Sequence, residues 1–193
     1  MQSSAINIPE SDEWVNEMQQ KARNNIEKYE GCTQSVLQPF MEDFGMQDDL
    51  VMRSAGGFLG GMASSLTCGV HSAGIMILGL LMGRERLEDG IDGLFPVVMP
   101  AQELIRRLNE KIGSHSCQEL TGVDFTDLEA AMNFRLSDDH QKCQDFVAEG
   151  AGVIARYLQE LQQEDALFRV SGNAKTERKR SGVSPLYNIS IQK

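Results

Sequence analysis

The chain has 193 residues, of which 41% are hydrophobic and 24% charged, with a formal net charge of −10, four cysteines and three histidines. That length and balance predict one soluble domain with a core of ordinary size, and exclude the disordered, collagenous and membrane-embedded classes. The acidity argues against a nucleic-acid partner, whose phosphates would be repelled.

Met1 to Glu10 carries neither the basic nor the apolar region of a secretory leader, so a cytoplasmic address is expected. Trp14, Val15, Met18, Ala22, Ile26 and Tyr29 recur at three- and four-residue steps behind Ser11 and Asp12, predicting a first helix that stops at Gly31. A second, from about Cys32 to Phe44, carries Val36, Leu37, Phe40, Met41 and Phe44 on one face and stops at Gly45. Pro39 falls inside it, which predicts a kink or a late start near Gln38. A short helix over Leu50 to Ala55 leads to Gly56-Gly57-Phe58-Leu59-Gly60-Gly61.

The apolar run from Gly74 to Met82 is about half of what a bilayer span needs, so it reads as part of a buried core helix from about Leu66 to Met82. Ala101 to Lys111 is amphipathic. Ser116-Cys117-Gln118-Glu119 has the spacing of a capping box, and Thr126-Asp127-Leu128-Glu129 repeats it. A last helix from about Asp138 to Glu164 buries Phe146, Val147, Ala151, Ile154, Leu158 and Leu161. The expected fold is all-α: a compact domain of about six helices over residues 1–168. Residues 169–193 hold six basic residues against Glu177 alone, so this tail is +5 and the domain −15. It reads as a basic tail outside the domain, extended or partly disordered.

Cys32, Cys68, Cys117 and Cys143 are separated by 36, 49 and 26 positions, so no CxxC and no zinc-finger spacing exists. Isolated cysteines of this kind often only pack as small hydrophobes. Two regularities point further. Each cysteine falls near a predicted helix start, where free N–H groups and about half a positive charge favour thiolate over thiol and lower the pKa. Every histidine also lies within three residues of a cysteine: His71 three after Cys68 and His140 three before Cys143, spacings that put each pair on one helix face, and His115 two before Cys117. A histidine there can ligate a metal, donate a hydrogen bond or stabilise the thiolate.

The segments Gly31-Cys32-Thr33-Gln34-Ser35-Val36-Leu37, Gly56 to Met62, Thr67-Cys68-Gly69-Val70-His71-Ser72-Ala73-Gly74, Ser116 to Gly122 and Lys142-Cys143-Gln144-Asp145-Phe146-Val147 occur in one order over about residues 20–160. In that order they resemble the redox-active protein family with a C-GCAxxC-C-C cysteine pattern, itself similar to the non-haem part of split-Soret cytochromes. The resemblance implies that the four cysteines converge as an iron–sulfur site in an electron carrier with a redox partner protein. His71, His115 and His140 would support the site or substitute in it. The pattern also implies a fifth cysteine at the position of Ser64. No CxxCH is present, so no covalent haem is expected.

Three readings stay open: the iron–sulfur carrier, a zinc-binding or purely structural helical interaction module, and a thiol–disulfide protein. There is neither a catalytic triad nor a nucleotide motif, since Gly56-Gly57-x-x-Gly60-Gly61 follows no strand and lacks the Lys-Ser/Thr of a phosphate loop. Those glycines instead predict close backbone approach beside Cys68. Gly69, Ala73, Gly74, Gly79 and Gly83 make a small-residue face suited to tight packing or a homodimer contact.

Overall fold

The computed structural model describes residues 6–164. They fold into eight α-helices: α1 (Asp12–Tyr29), α2 (Cys32–Asp43), α3 (Asp49–Ala55), α4 (Gly69–Met82), α5 (Phe95–Ile112), α6 (Cys117–Thr121), α7 (Leu128–Arg135) and α8 (Gln141–Gln163). Among the described residues there is no strand, only an isolated antiparallel bridge between Thr67 and Ser116. The all-α expectation holds, with α3, α6 and α7 as short pieces beyond the long helices. No described helix is long and apolar enough to cross a membrane. The expected tail, residues 169–193, lies outside the described residues.

Local chemistry places most helix starts. Ser11 accepts from Trp14 N, Asp48 from Leu50 N and Val51 N, and Ser116 from Glu119 N, each satisfying donors the first helical turn leaves free. The Ser116 box closes through a relay: Glu119 accepts from Ser114 Oγ, which in turn accepts from Ser116 N at 3.0 Å. At α7 the cap is Asp127, which takes Glu129 N and Ala130 N, while Thr126 donates its hydroxyl to Asp124.

Helix α2 runs from Cys32 straight through Pro39. The carbonyl that proline cannot serve, Ser35 O, instead receives Asn25 Nδ2 from α1 at 3.4 Å. Between α1 and α2 the chain turns through Glu30 (φ 63°) and Gly31 (φ 78°). Tyr29, expected on the buried face, is 67% exposed, with Lys28 Nζ 5.0 Å from its ring centre.

Burial of apolar faces then assembles the domain. Trp14, Val15, Met18, Ala22 and Ile26 of α1 pack along α8, and α2 packs on α1 and α4. Helix α4 is buried at ten of its positions, and α5 closes the other side against α4 and α8 through Leu104, Leu108 and Ile112. Each such side chain contributes about 1.5–3 kcal/mol relative to exposure. Gly74 and Gly150 let the helices approach: a Cβ at Gly74 would lie 2.9 Å from Leu104, and one at Gly150 2.1 Å from Val70. Ion pairs Arg23–Asp145, Arg107–Glu160 and Arg156–Asp12 run along the partly exposed seams, where each adds at most about 1 kcal/mol.

Candidate functional site

The four cysteines sit on four different helices, and all four line one cavity of about 230 Å³. Cys32 opens α2, Cys68 caps α4, Cys117 opens α6 and Cys143 lies in the first turn of α8. All four are free cysteines. Apolar side chains complete the wall, chiefly Ile26, Leu120, Phe125, Phe134, Phe146 and Val147. Leu59 and Met132 also line it and stay about half exposed, at 53% and 46%, so the cavity reaches the surface beside them.

Backbone pairing brings distant cysteines together. Cys68 N donates to His115 O at 2.8 Å and Cys117 N to Leu66 O at 2.6 Å, flanking the Thr67–Ser116 bridge. This bridge also shifts the start of α4, expected near Leu66, to Gly69, because Thr67 pairs with Ser116 and Cys68 (φ −55°, ψ 138°) leaves it in an extended conformation. Ahead of it the chain makes a left-handed loop: Gly60, Gly61, Met62, Ala63 and Ser65 all have positive φ, between 52° and 63°. Three of these are not glycine, and an L-residue in that region costs about 1–2 kcal/mol. Tertiary bonds hold the loop in place: Ser65 Oγ donates to Val123 O at 3.0 Å and accepts from Phe125 N at 2.6 Å. A Cβ on Gly61 would lie 2.7 Å from Cys117 Cβ and 2.6 Å from Leu66 N, so close approach is the role of this glycine, beside Cys117 rather than Cys68.

The thiols are less acidic than their helix-end positions predict. Burial pushes Cys32 and Cys68 well up, Cys117 up to about 11 and Cys143 up to about 12. Repulsion from Cys32 adds to the rise at the other three, and Glu30 adds to it at Cys143. The helix-end charge is real, but transfer of a thiolate into an apolar cavity costs more. Only Cys32 gathers several donors that oppose the rise: the N–H groups of Gly60, Thr33 and Gly69, and the Thr33 side chain.

The histidines divide. His140 lines the cavity, with Nε2 3.3 Å from Glu30 Oε2 and its ring edge-on to Phe134. Glu30 also meets Arg135 Nε at 3.4 Å, forming an Arg–Glu–His chain on the cavity wall. Neither Glu30 nor Arg135 stood out in the sequence; the one signal was a glutamate beside the glycine at a helix break. His115 is exposed and contributes its backbone carbonyl, while its ring stands 6.5 Å from that of His71.

His71 turns into the core, fully buried, with Nε2 3.1 Å from Asn109 Oδ1 and Nδ1 unpartnered. Cys68 is extended, so the three-residue step to His71 does not put both on one helix face. Burial lowers the His71 pKa to about 4, and His115 lowers it further while the Asn109 bond opposes. The unfolded chain therefore takes up a proton near pH 6.5 that the folded protein refuses until about pH 4. Stability should fall as pH drops through that window, by roughly 3 kcal/mol at full titration. Urea unfolding from pH 7 to 4 measures this, and His71→Gln should flatten the slope.

Among the described residues, no three His, Cys, Asp or Glu side chains are grouped so as to hold a single metal ion. Ser64 is exposed in the left-handed loop and does not line the cavity. A family model described as "Putative redox-active protein (C_GCAxxG_C_C)" matches residues 30–157. Its signature names four cysteines, as many as this chain has, so the fifth cysteine expected at the position of Ser64 is not part of it. No curated protein and no solved structure matches the chain. With the family match covering two thirds of the sequence and all four of its cysteines on one cavity, the chain belongs to the C_GCAxxG_C_C family of redox-active proteins.

Proposed function

We propose that Cys32, Cys68, Cys117 and Cys143 bind an iron–sulfur cluster and that the protein carries electrons to and from a partner protein. The carrying observation is that four unpaired cysteines from four helices face one largely apolar cavity of about 230 Å³. An apolar cavity of about 150 Å³ already accommodates benzene, so this one has room for a group of several heavy atoms. A cluster held by four thiolates supplies one-electron chemistry without proton or group transfer.

The thiols themselves support this reading. In an apolar cavity four thiolates cannot coexist uncompensated, and a multiply charged metal group supplies the missing positive charge, releasing the protons on binding. A mononuclear zinc site needs its donors about 2.3 Å from one point. No such grouping is present among the described residues. The phenylalanines of the wall exclude water, while the exposed edges of Leu59 and Met132 offer the side from which a partner can approach.

Anaerobic purification tests the proposal. The expected product is brown, with near-stoichiometric iron and sulfide, and loses that colour in Cys68→Ser. Colourless protein with four titratable thiols would overturn it. Bound zinc, with Cys68→Ser altering stability alone, would establish the structural module in its place.

A further inference from the structure

We propose that Thr33 is a positioning residue for the redox site: its hydroxyl donates to the sulfur of Cys32 and raises the reduction potential of the site. The inference deepens the electron-carrier reading above and rests on it.

Thr33 Oγ1 is fully buried, and no hydrogen bond of ordinary geometry satisfies it. Buried hydroxyls are nearly always paired, so an orphan of this kind calls for a partner. Cys32 Sγ is the acceptor at hand. Both atoms press on the same α-carbon from across the helix pair: a Cβ on Gly69 would lie 2.2 Å from Cys32 Sγ and 2.6 Å from Thr33 Oγ1. The N–H groups of Gly60, Thr33 and Gly69 and the Thr33 side chain all act against the burial that pushes the Cys32 thiol up, and the hydroxyl is the one side-chain group among them. Neither Gly60, Gly69 nor the backbone of Thr33 can be altered without disturbing the fold, whereas the hydroxyl can be removed alone.

When the site takes one electron from an external one-electron donor, no bond to the protein breaks and one negative charge is added, shared over the sulfurs. Donors aimed at a sulfur stabilise that reduced state more than the oxidised one, and the potential rises accordingly. A hydrogen bond to sulfur in a buried site is worth about 2- to 10-fold in such an equilibrium.

The test is a dithionite titration of the anaerobically purified native protein, Thr33→Val and Thr33→Ser. Valine keeps the shape and deletes the donor; serine keeps the donor. The valine variant should have a more negative midpoint potential at unchanged iron content, and serine should restore the native value. Coincident potentials of native and valine proteins would overturn the role of Thr33 and leave the carrier reading intact. Absence of any redox couple in the native protein would overturn both.

If Thr33→Val loads no metal, alkylation of Cys32 in the reduced, metal-free proteins, mapped by mass spectrometry, gives a second readout. It should be about 2- to 10-fold slower in valine than in native protein and recover in serine. Equal rates would overturn the proposal.

Discussion

Gly69→Ala should abolish the redox site and destabilise the fold, while Gly79→Ala, ten residues along the same helix, should stabilise it. At Gly69 the added methyl would stand 2.2 Å from Cys32 Sγ, 2.6 Å from Thr33 Oγ1 and 3.0 Å from Thr33 N. Cys32 can rotate away only by leaving the cavity, and the Thr33 backbone can retreat only if α2 and α4 part. Overpacking of this kind costs about 1–3 kcal/mol, and here it falls on the contact that aims a sulfur. At Gly79 a methyl would meet nothing within 4 Å, and the residue is exposed in the helix interior. There alanine should gain about 0.5–1 kcal/mol through helix propensity. Urea midpoints and the visible spectrum of both variants decide the matter; a coloured, stable Gly69→Ala protein would contradict the packing described.

The second large effect is alkaline. In the reduced, metal-free protein, thiols that ionise near pH 9 in the unfolded chain hold their protons to about 11 at Cys117 and about 12 at Cys143. Between those limits the folded state binds more protons than the unfolded one, so stability is full below pH 9 and falls as pH rises through 11 and 12. Each of the two sites is worth on the order of 2–4 kcal/mol over that range, comparable with the whole stability of a small domain. Unfolding midpoints measured from pH 8 to 11 should drop steeply. A double Cys117→Ala, Cys143→Ala variant should drop much less. Once the thiols are metal-bound the same protons are already gone, so the loaded protein should show little of this slope.

What could be read from the chain and what could not follow from the range over which each feature is determined. Ser11, Asp48 and Ser116 announce helix starts because a cap needs only its next three residues, and the spacing of Val147, Ile154, Leu158 and Leu161 marks the buried face of α8. The helix-start positions of the cysteines were legible for the same reason. Their acidity was not, since it depends on apolar walls contributed by α1, α7 and α8. Nor was the left-handed loop: Met62 and Ala63 have no preference for positive φ and accept it because Ser65 is anchored to Val123 and Phe125 on the far side of the site. Pro39 predicted a kink or a late start in α2; the helix starts at Cys32, and Asn25, on another helix, serves the carbonyl that the proline leaves free. His71 was placed with its neighbour Cys68 on helical spacing, but the bridge through Thr67 holds that neighbour extended and sends the imidazole into the core.

The Thr67–Ser116 bridge has one further consequence. It clamps the two ends of the long excursion through α4 and α5, so the relative placement of Cys68 and Cys117 is decided at the clamp and not by the number of residues between them. The segment joining α4 to α5, with Leu87 77% and Ile91 68% exposed, is the far end of that excursion. Lengthening a surface connection there costs little closure entropy, about 0.6 kcal/mol per doubling. The wide gap between the second and third cysteines, which fits no CxxC or zinc-finger spacing, is therefore the length of a detour, and its length can change while the two sulfurs stay in register.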